Sequence, residues 1–259
     1  MSEMIETRNL KPLALWKSLL LTLVPAVAAY LALHYLVPAR LAGTGQPFFN
    51  GYMIWWMTWM GLVLIVSLVA YKLEDNPLTL RAFASRYRLR RLTRRDWLWT
   101  VGLLASQVIG ILLVGLLGKW LASIPLLSMP ASFPPELQPG GTSALIPGEF
   151  MGMALKGMWW IVLLYFLGWV CNILGEEFWW RGYMLPRQEL THGKWTWVVH
   201  GTLWGANHLF QKWTLPVLFP SALLYAYAAQ KVKNTWMLII VHGVMNLTTL
   251  VLIVIGVVG

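Results

Sequence analysis

The chain alternates long apolar runs with short polar, often basic, connections. Seven runs approach bilayer length, at 13–37, 51–71, 97–121, 152–175, 195–210, 215–231 and 235–258. A spanning helix needs about 20 mostly apolar residues. The first, second, third and seventh runs meet that requirement cleanly, and the fourth continues into a charged segment. The fifth and sixth are short and carry His, Asn, Pro and Ser, so their ends are soft. Pro25, Pro216 and Pro220 predict kinks or helix ends, because proline lacks the N–H that a helix interior uses. The pattern predicts an all-α polytopic transmembrane helix bundle of about seven spans, six to eight. It divides into an N-terminal transmembrane region, 1–121, with a basic loop at 72–96; an outer loop, 122–151; and a transmembrane core, 152–259, that holds the candidate chemistry.

Composition agrees. Hydrophobic residues make up 58% of the 259 and charged residues 12%, against about 25% charged in soluble domains. A disordered chain is excluded, and a soluble globular enzyme is disfavoured. The single cysteine, Cys171, excludes an intrachain disulfide or a multi-cysteine metal site, and reads as a small buried hydrophobe. The net charge of +10 is concentrated, with seven arginines between Arg81 and Arg95. Basic residues beside spans report topology, so no nucleic-acid partner is expected. Alternating spans put Arg8, Lys11, Lys17, the 72–96 loop, Arg181, Arg187, Lys194, Lys231 and Lys233 on one side. Only Arg40, Lys119, Lys156 and Lys212 fall on the other. The positive-inside rule then makes the N-terminus cytoplasmic. No A-x-A-like cleavage site follows the first run, so no cleavable signal peptide is expected. The 122–151 loop holds six of the fourteen prolines and the Gly140–Gly141 pair. Its simplest reading is a plain extracytoplasmic linker; its length also suits a cover over the bundle or a substrate contact.

The informative residues are polar ones inside apolar surroundings. Glu176 and Glu177 directly follow an apolar stretch, and an ionisable residue at membrane depth is by default a functional hypothesis. On a helix, Glu177 and Arg181 meet at i and i+4 and neutralise each other. Glu176 points about 100° away and lacks such a local partner. His208 ends Trp204-Gly205-Ala206-Asn207-His208, and His242 and Asn246 share one face of the last run. One carboxylate, two imidazoles and one amide from three helices suit hydrolysis. A Glu–His pair can hold a water and take its proton, while a second His and an Asn can donate to an oxyanion. Glu176, His208 and His242 would equally suit a zinc ion with water in the fourth position. A structural ion pair is the preferred reading for Glu177 and Arg181. His34, His192 and His200 read as core histidines, with His200 in reserve; Asn172, four before Glu176, could support that carboxylate, and helix packing is its preferred reading.

The order Glu-Glu-x-x-x-Arg, aromatic-x-x-x-His, His-x-x-x-Asn, each in its own apolar run, resembles the CPBP family of intramembrane proteases (CAAX protease and bacteriocin-processing, also called Abi). Arg181-Gly182-Tyr183-Met184-Leu185-Pro186 is also similar to that family's first motif. The resemblance covers roughly 150–250. It implies Glu176 as general base or water-binding carboxylate, His208 sharing that water, and His242 with Asn246 as the oxyanion hole. Glu177 and Arg181 would be a supporting ion pair. The family's second motif usually opens with Phe; Trp204 stands here, and a packing change is expected. The family is commonly labelled a metalloprotease, and metal-independent glutamate catalysis has also been described. With no His-Glu-x-x-His helix, zinc or no metal both stay open.

The function expected is therefore an intramembrane endopeptidase acting on a membrane-associated or lipidated peptide or protein, with membrane lipid around it. Compact size and arginine bias suggest a bacterial inner (plasma) membrane protein with the site opening toward the cytoplasm. The alternative is a non-catalytic bacteriocin-immunity or scaffold protein. A transporter is disfavoured, since one polar cluster is present and no continuing path of charges.

Overall fold

The computed structural model describes residues 10–137 and 147–259, with backbone alone at 111, 113–116, 118, 119, 121 and 122. Arg8 and the Gly140–Gly141 pair lie outside the described residues. The first helix, α1 (Leu15–Leu41), passes through a π-helical turn at Ala32–Leu36. Then come α2 (Phe48–Leu73), α3 (Leu80–Arg86) and α4 (Arg94–Ala122). A two-stranded hairpin follows, β1 (Glu149–Phe150) with β2 (Met153–Ala154). The rest is helical: α5 (Trp159–Glu176), a π-helical stretch Glu177–Met184, α6 (Leu185–His192), α7 (Thr196–Asn207), a 3-10 stretch His208–Thr214, α8 (Leu215–Val232) and α9 (Thr235–Val258).

Among the described residues, four helical runs are long and apolar enough to cross a membrane: Leu15–Leu41, Phe48–Leu73, Trp159–Val232 and Thr235–Val258. This is an all-α membrane bundle. Its outer faces are apolar, as at Leu20, Val24, Leu62, Ile65, Leu163 and Val251, which suits lipid contact. Two expected runs have different limits. The run at 152–175 starts as a helix only at Trp159, because Met151, Gly152 and Gly157 take positive φ and turn the chain through the hairpin. The run at 195–210 is an α-helix only to Asn207, and Gln211, at φ −120° and ψ 54°, breaks it. Cys171 is half-buried rather than buried.

The basic loop is part of the architecture. Pro186 has no N–H for the carbonyl of Gly182, four residues back; that carbonyl instead accepts Arg86 Nη1 at 2.6 Å. A side chain at Gly182 would collide with the Tyr87 ring, and Tyr87 in turn donates to the Ser67 carbonyl at 2.6 Å. Arg88 pairs with Glu189 at 2.6 Å and Arg90 with Asp96 at 2.8 Å. The Arg88 carbonyl accepts Thr235 N–H, and Asn234 donates to Asp96. The 72–96 loop thus fastens the π-helical stretch, α6 and the α8–α9 connection at one end of the bundle. The described part of the 122–151 loop is packed and is not a free linker. Phe133 is buried, and the Leu137 carbonyl accepts Trp213 Nε1–H at 2.6 Å.

Candidate active site

Each site residue sits where helices approach closely. Gly175 lets α5 press on α2: a Cβ there would lie 3.0 Å from the Leu64 nitrogen and 3.2 Å from the Met60 oxygen. This puts the next residue, Glu176, into the bundle, where it is 4% exposed. Gly201 does the same between α7 and α8, with Leu223 Cα 2.8 Å from its added Cβ. Such small-residue seams are how apolar helices gain close contact in membranes. The result is a cavity of about 320 Å³ whose lining includes Glu176, His208, His242 and Asn246. The four residues singled out by sequence share one cavity. Asn172, Gln107, Trp204 and Tyr225 line it as well.

Hydrogen bonds fix what each group has left to offer. Trp204 Nε1–H donates to Glu176 Oε2 at 2.9 Å, and among the described residues no hydrogen bond reaches Oε1. His208 Nδ1 lies 2.9 Å from the Trp204 carbonyl. A carbonyl only accepts, so Nδ1 carries the proton and Nε2 of the neutral ring keeps its lone pair. His242 Nδ1 lies 3.0 Å from Glu177 Oε1, which also takes Arg181 at 3.2 Å. With its Nδ1 proton on that carboxylate, His242 can donate from Nε2 only as the imidazolium. Asn246 Nδ2 gives one hydrogen to the His242 carbonyl at 3.1 Å and keeps a second.

Sequence reasoning missed two of these roles. The expected Glu177–Arg181 pair is present, but Glu177 also orients His242, 65 residues away; nothing local signals that contact. Trp204 is more than a larger Phe. Its N–H binds Glu176, the Arg181 guanidinium lies 4.0 Å from its ring centroid, and Tyr225 stacks on it at 5.8 Å. The signal was available, because a buried indole N–H nearly always finds an acceptor. The reserve histidine, His200, lies elsewhere: its Nδ1 meets Gln188 Oε1 at 2.7 Å, and it does not line the cavity. His34 bonds the Phe210 carbonyl at 3.0 Å.

Among the described residues no three His, Cys, Asp or Glu side chains are grouped to hold a metal ion. As placed, Glu176, His208 and His242 do not fit a zinc ion. The chemistry they offer is that of a carboxylate, two imidazoles and an amide. A second cavity, about 260 Å³, also reaches Glu176 and has apolar walls that include Leu21, Pro25, Val63, Trp179 and Trp180.

The site is thus a buried carboxylate with an oxygen that no described group binds, in one cavity with two imidazoles and an amide. Residues 158–248 match the family model described as type II CAAX prenyl endopeptidase Rce1-like. The match spans every candidate site residue and supports assignment to the CPBP, or CAAX protease, family. No curated protein and no solved structure matches the chain. Over residues 158–248 the chain is thus similar to CAAX-type endopeptidases, and its four long apolar helical runs point to an integral membrane protein.

Proposed function

We propose that the protein is an intramembrane endopeptidase in which Glu176 and His208 activate water and His242 and Asn246 receive the oxyanion. The observation that carries this reading is the convergence of Glu176, His208, His242 and Asn246 on one cavity, with lone pairs or N–H groups still free. A water held between Glu176 Oε1 and His208 Nε2 gives its proton to Glu176 as its oxygen attacks the scissile carbonyl carbon. The developing oxyanion takes hydrogen bonds from the second Asn246 N–H and from the His242 imidazolium. Glu176 then passes the proton to the amide nitrogen as the C–N bond breaks. Arg181 and Glu177 hold the ring of His242 and the face of Trp204, so little has to reorganise during the reaction. The apolar cavity beside Glu176 supports a substrate with a lipid or strongly apolar group next to the cut.

In this reading the chain crosses the membrane seven times. The arginine-tied end and the N-terminus face the cytoplasm of a bacterial inner membrane, by the positive-inside rule. The test uses purified protein in detergent and internally quenched peptides, one set carrying a prenylated Cys-a-a-X terminus and one set without it. Cleavage by wild type and none by Glu176→Gln of equal thermal stability is the expected result. Cleavage that survives in Glu176→Gln, or none by wild type, overturns it in favour of a binding or immunity protein. EDTA sensitivity reversed by zinc is the separate readout for a metal.

A further inference from the structure

Gln107 brings an unused amide to the cavity from α4, a helix outside the residues 158–248 that match the family model. α4 has two unlike faces. Leu98, Val101, Val108, Ile109 and Leu112 are exposed and suit lipid, whereas Asp96, Thr100 and Leu103 are buried. At about 100° per residue, Gln107 falls with the buried set, about 180° from Leu98. That face packs on α8 and α9. There Gln107 lines the cavity with Ser221 and Tyr225 of α8 and with His242 and Asn246 of α9. Gln107 is half-buried. Among the described residues neither atom of its amide takes part in a hydrogen bond, and neither is sealed in without a partner as Asn172 Oδ1 and His200 Nε2 are; both atoms stay accessible. Other glutamines are bound into the fold. Gln188 meets Ser18 and His200, and Gln230 meets Trp197 and Gly193. Even Ser106, next to Gln107, is satisfied within α4 by the Leu103 carbonyl at 2.7 Å. Packing alone would be served by Leu or Met, and a carboxamide in an apolar helix is costly without a partner.

The depth of Gln107 suits the chemistry beside it. Asn234, just before α9, donates to Asp96 at the start of α4, so the two helices can be counted from one level. Gln107 then lies about 16 Å along α4 and Asn246 about 18 Å along α9, at 1.5 Å per residue. A carboxamide offers one acceptor and two donors, the same kinds of group as a peptide unit. A peptide entering a water-poor cavity brings an N–H and a C=O per residue, and each needs a partner. We infer that Gln107 is a substrate-binding residue: its Oε1 accepts a backbone N–H of the bound peptide and its Nε2–H donates to a backbone carbonyl beside the scissile bond. This rests on the endopeptidase reading above. These bonds form when the peptide binds and persist through the reaction, so they set which bond lies at Glu176 and fall chiefly on KM. The oxyanion itself belongs to Asn246 and His242.

The test is a cycle between enzyme and substrate, run on the full chain in detergent. Wild type and Gln107→Met, close in shape but without the amide, are assayed on a quenched peptide that wild type cleaves. The same peptide is then made with single ester-for-amide replacements, which delete one N–H each. The expected result is a KM raised about tenfold in Gln107→Met with kcat within about threefold, the loss of hydrogen bonds made equally in the ground and transition states. One ester position should cost wild type a similar factor and cost Gln107→Met nothing further, the signature of a direct partnership. The melting temperature of Gln107→Met should equal or exceed that of wild type, because no bond within the fold is lost. An unchanged KM, or ester penalties that are the same in both proteins at every position, overturns the proposal. A kcat that falls while KM holds overturns it in favour of a donor to the oxyanion. If Gln107→Met does not fold, Gln107→Ala enters the same cycle, and failure of both to fold overturns the proposal in favour of a packing role. A wild type that cleaves no peptide removes the endopeptidase reading and this inference with it, whereas a cleaving wild type with an indifferent Gln107→Met removes this inference alone.

Discussion

Two polar regions of the molecule are built on opposite terms. At the arginine-tied end, charges are answered by partners. Glu74 takes Arg86 at 2.6 Å and Arg187 at 2.9 Å, Glu189 takes Arg88 through both carboxylate oxygens, and Asp96 takes Arg90, Asn234 and the Thr93 N–H. Around Glu176 the partners stop short. Glu176 keeps an oxygen, His208 and His242 keep Nε2, and Asn246 keeps an N–H. Both regions are polar groups in an apolar chain, and burial alone does not separate them. Leftover hydrogen-bonding capacity combined with a place on the cavity does: Glu176, His208, His242 and Asn246 have both, whereas His200 Nε2 and Glu136 Oε2 lack a partner and do not line it.

The sharpest way to break that comparison is to alter one carboxylate in each region. Glu176→Gln keeps the shape and the Trp204 contact but removes the base. Activity should fall about 10²–10⁴-fold, the usual contribution of general acid–base catalysis, while thermal stability stays close to wild type. Glu74→Ala should do the reverse. It strands two guanidiniums that are 7% and 13% exposed, and breaking a buried pair costs about 3–5 kcal/mol. Thermal melting of both variants beside peptide cleavage checks the two at once. A Glu176→Gln protein that melts far below wild type, or a Glu74→Ala protein as stable as wild type, would collapse the distinction.

Trp204 belongs to the second region, with its indole N–H on Glu176 and Arg181 on its face. Trp204→Phe removes the N–H and keeps a ring. A hydrogen bond to a charged group contributes about 1.5–3 kcal/mol, so kcat/KM should drop about 10–100-fold. Steady-state kinetics on the same quenched peptide measures this. A drop of less than twofold would mean that the indole acts by packing alone.

How much of this was legible beforehand follows from what each feature depends on. The helices follow from local apolar runs, and four of them stand out as long, apolar runs in the structure. The cluster of Glu176, His208, His242 and Asn246 was visible because polar residues in such runs are rare. The tie from Glu177 to His242 was not, because the partners lie on separate helices and only packing sets the distance. The free amide of Gln107 was likewise invisible, since a sequence gives a residue's groups and not their remaining capacity. The short α7 and the hairpin at Glu149–Ala154 depend on positive-φ turns and a break at Gln211, which hydropathy does not register.

The smallest effect concerns the saturated region alone and depends on pH. Thr93 and Asp96 form a reciprocal cap at the start of α4: Asp96 N–H donates to Thr93 Oγ1 at 3.3 Å, and Thr93 N–H to Asp96 Oδ2 at 2.9 Å. Burial by itself would raise the Asp96 pKa; the Thr93 N–H, the Asn234 amide and the Arg90 guanidinium outweigh it and hold the carboxyl below its ordinary 3.8. A carboxyl whose pKa is lowered by folding stabilises the fold above its unfolded value, and that contribution is lost as pH falls through the folded value. At pH 7 Asp96→Asn should therefore cost roughly 1.5–3 kcal/mol, the worth of a hydrogen bond to a charged group. The gap in melting temperature between wild type and Asp96→Asn should narrow as pH drops below 3.8, because the wild-type carboxyl is then protonated too. Melting curves from pH 7 to pH 3 decide it. A gap that stays constant over that range would mean that Asp96 acts by shape, and the saturated region would owe less to charge than its ion pairs suggest.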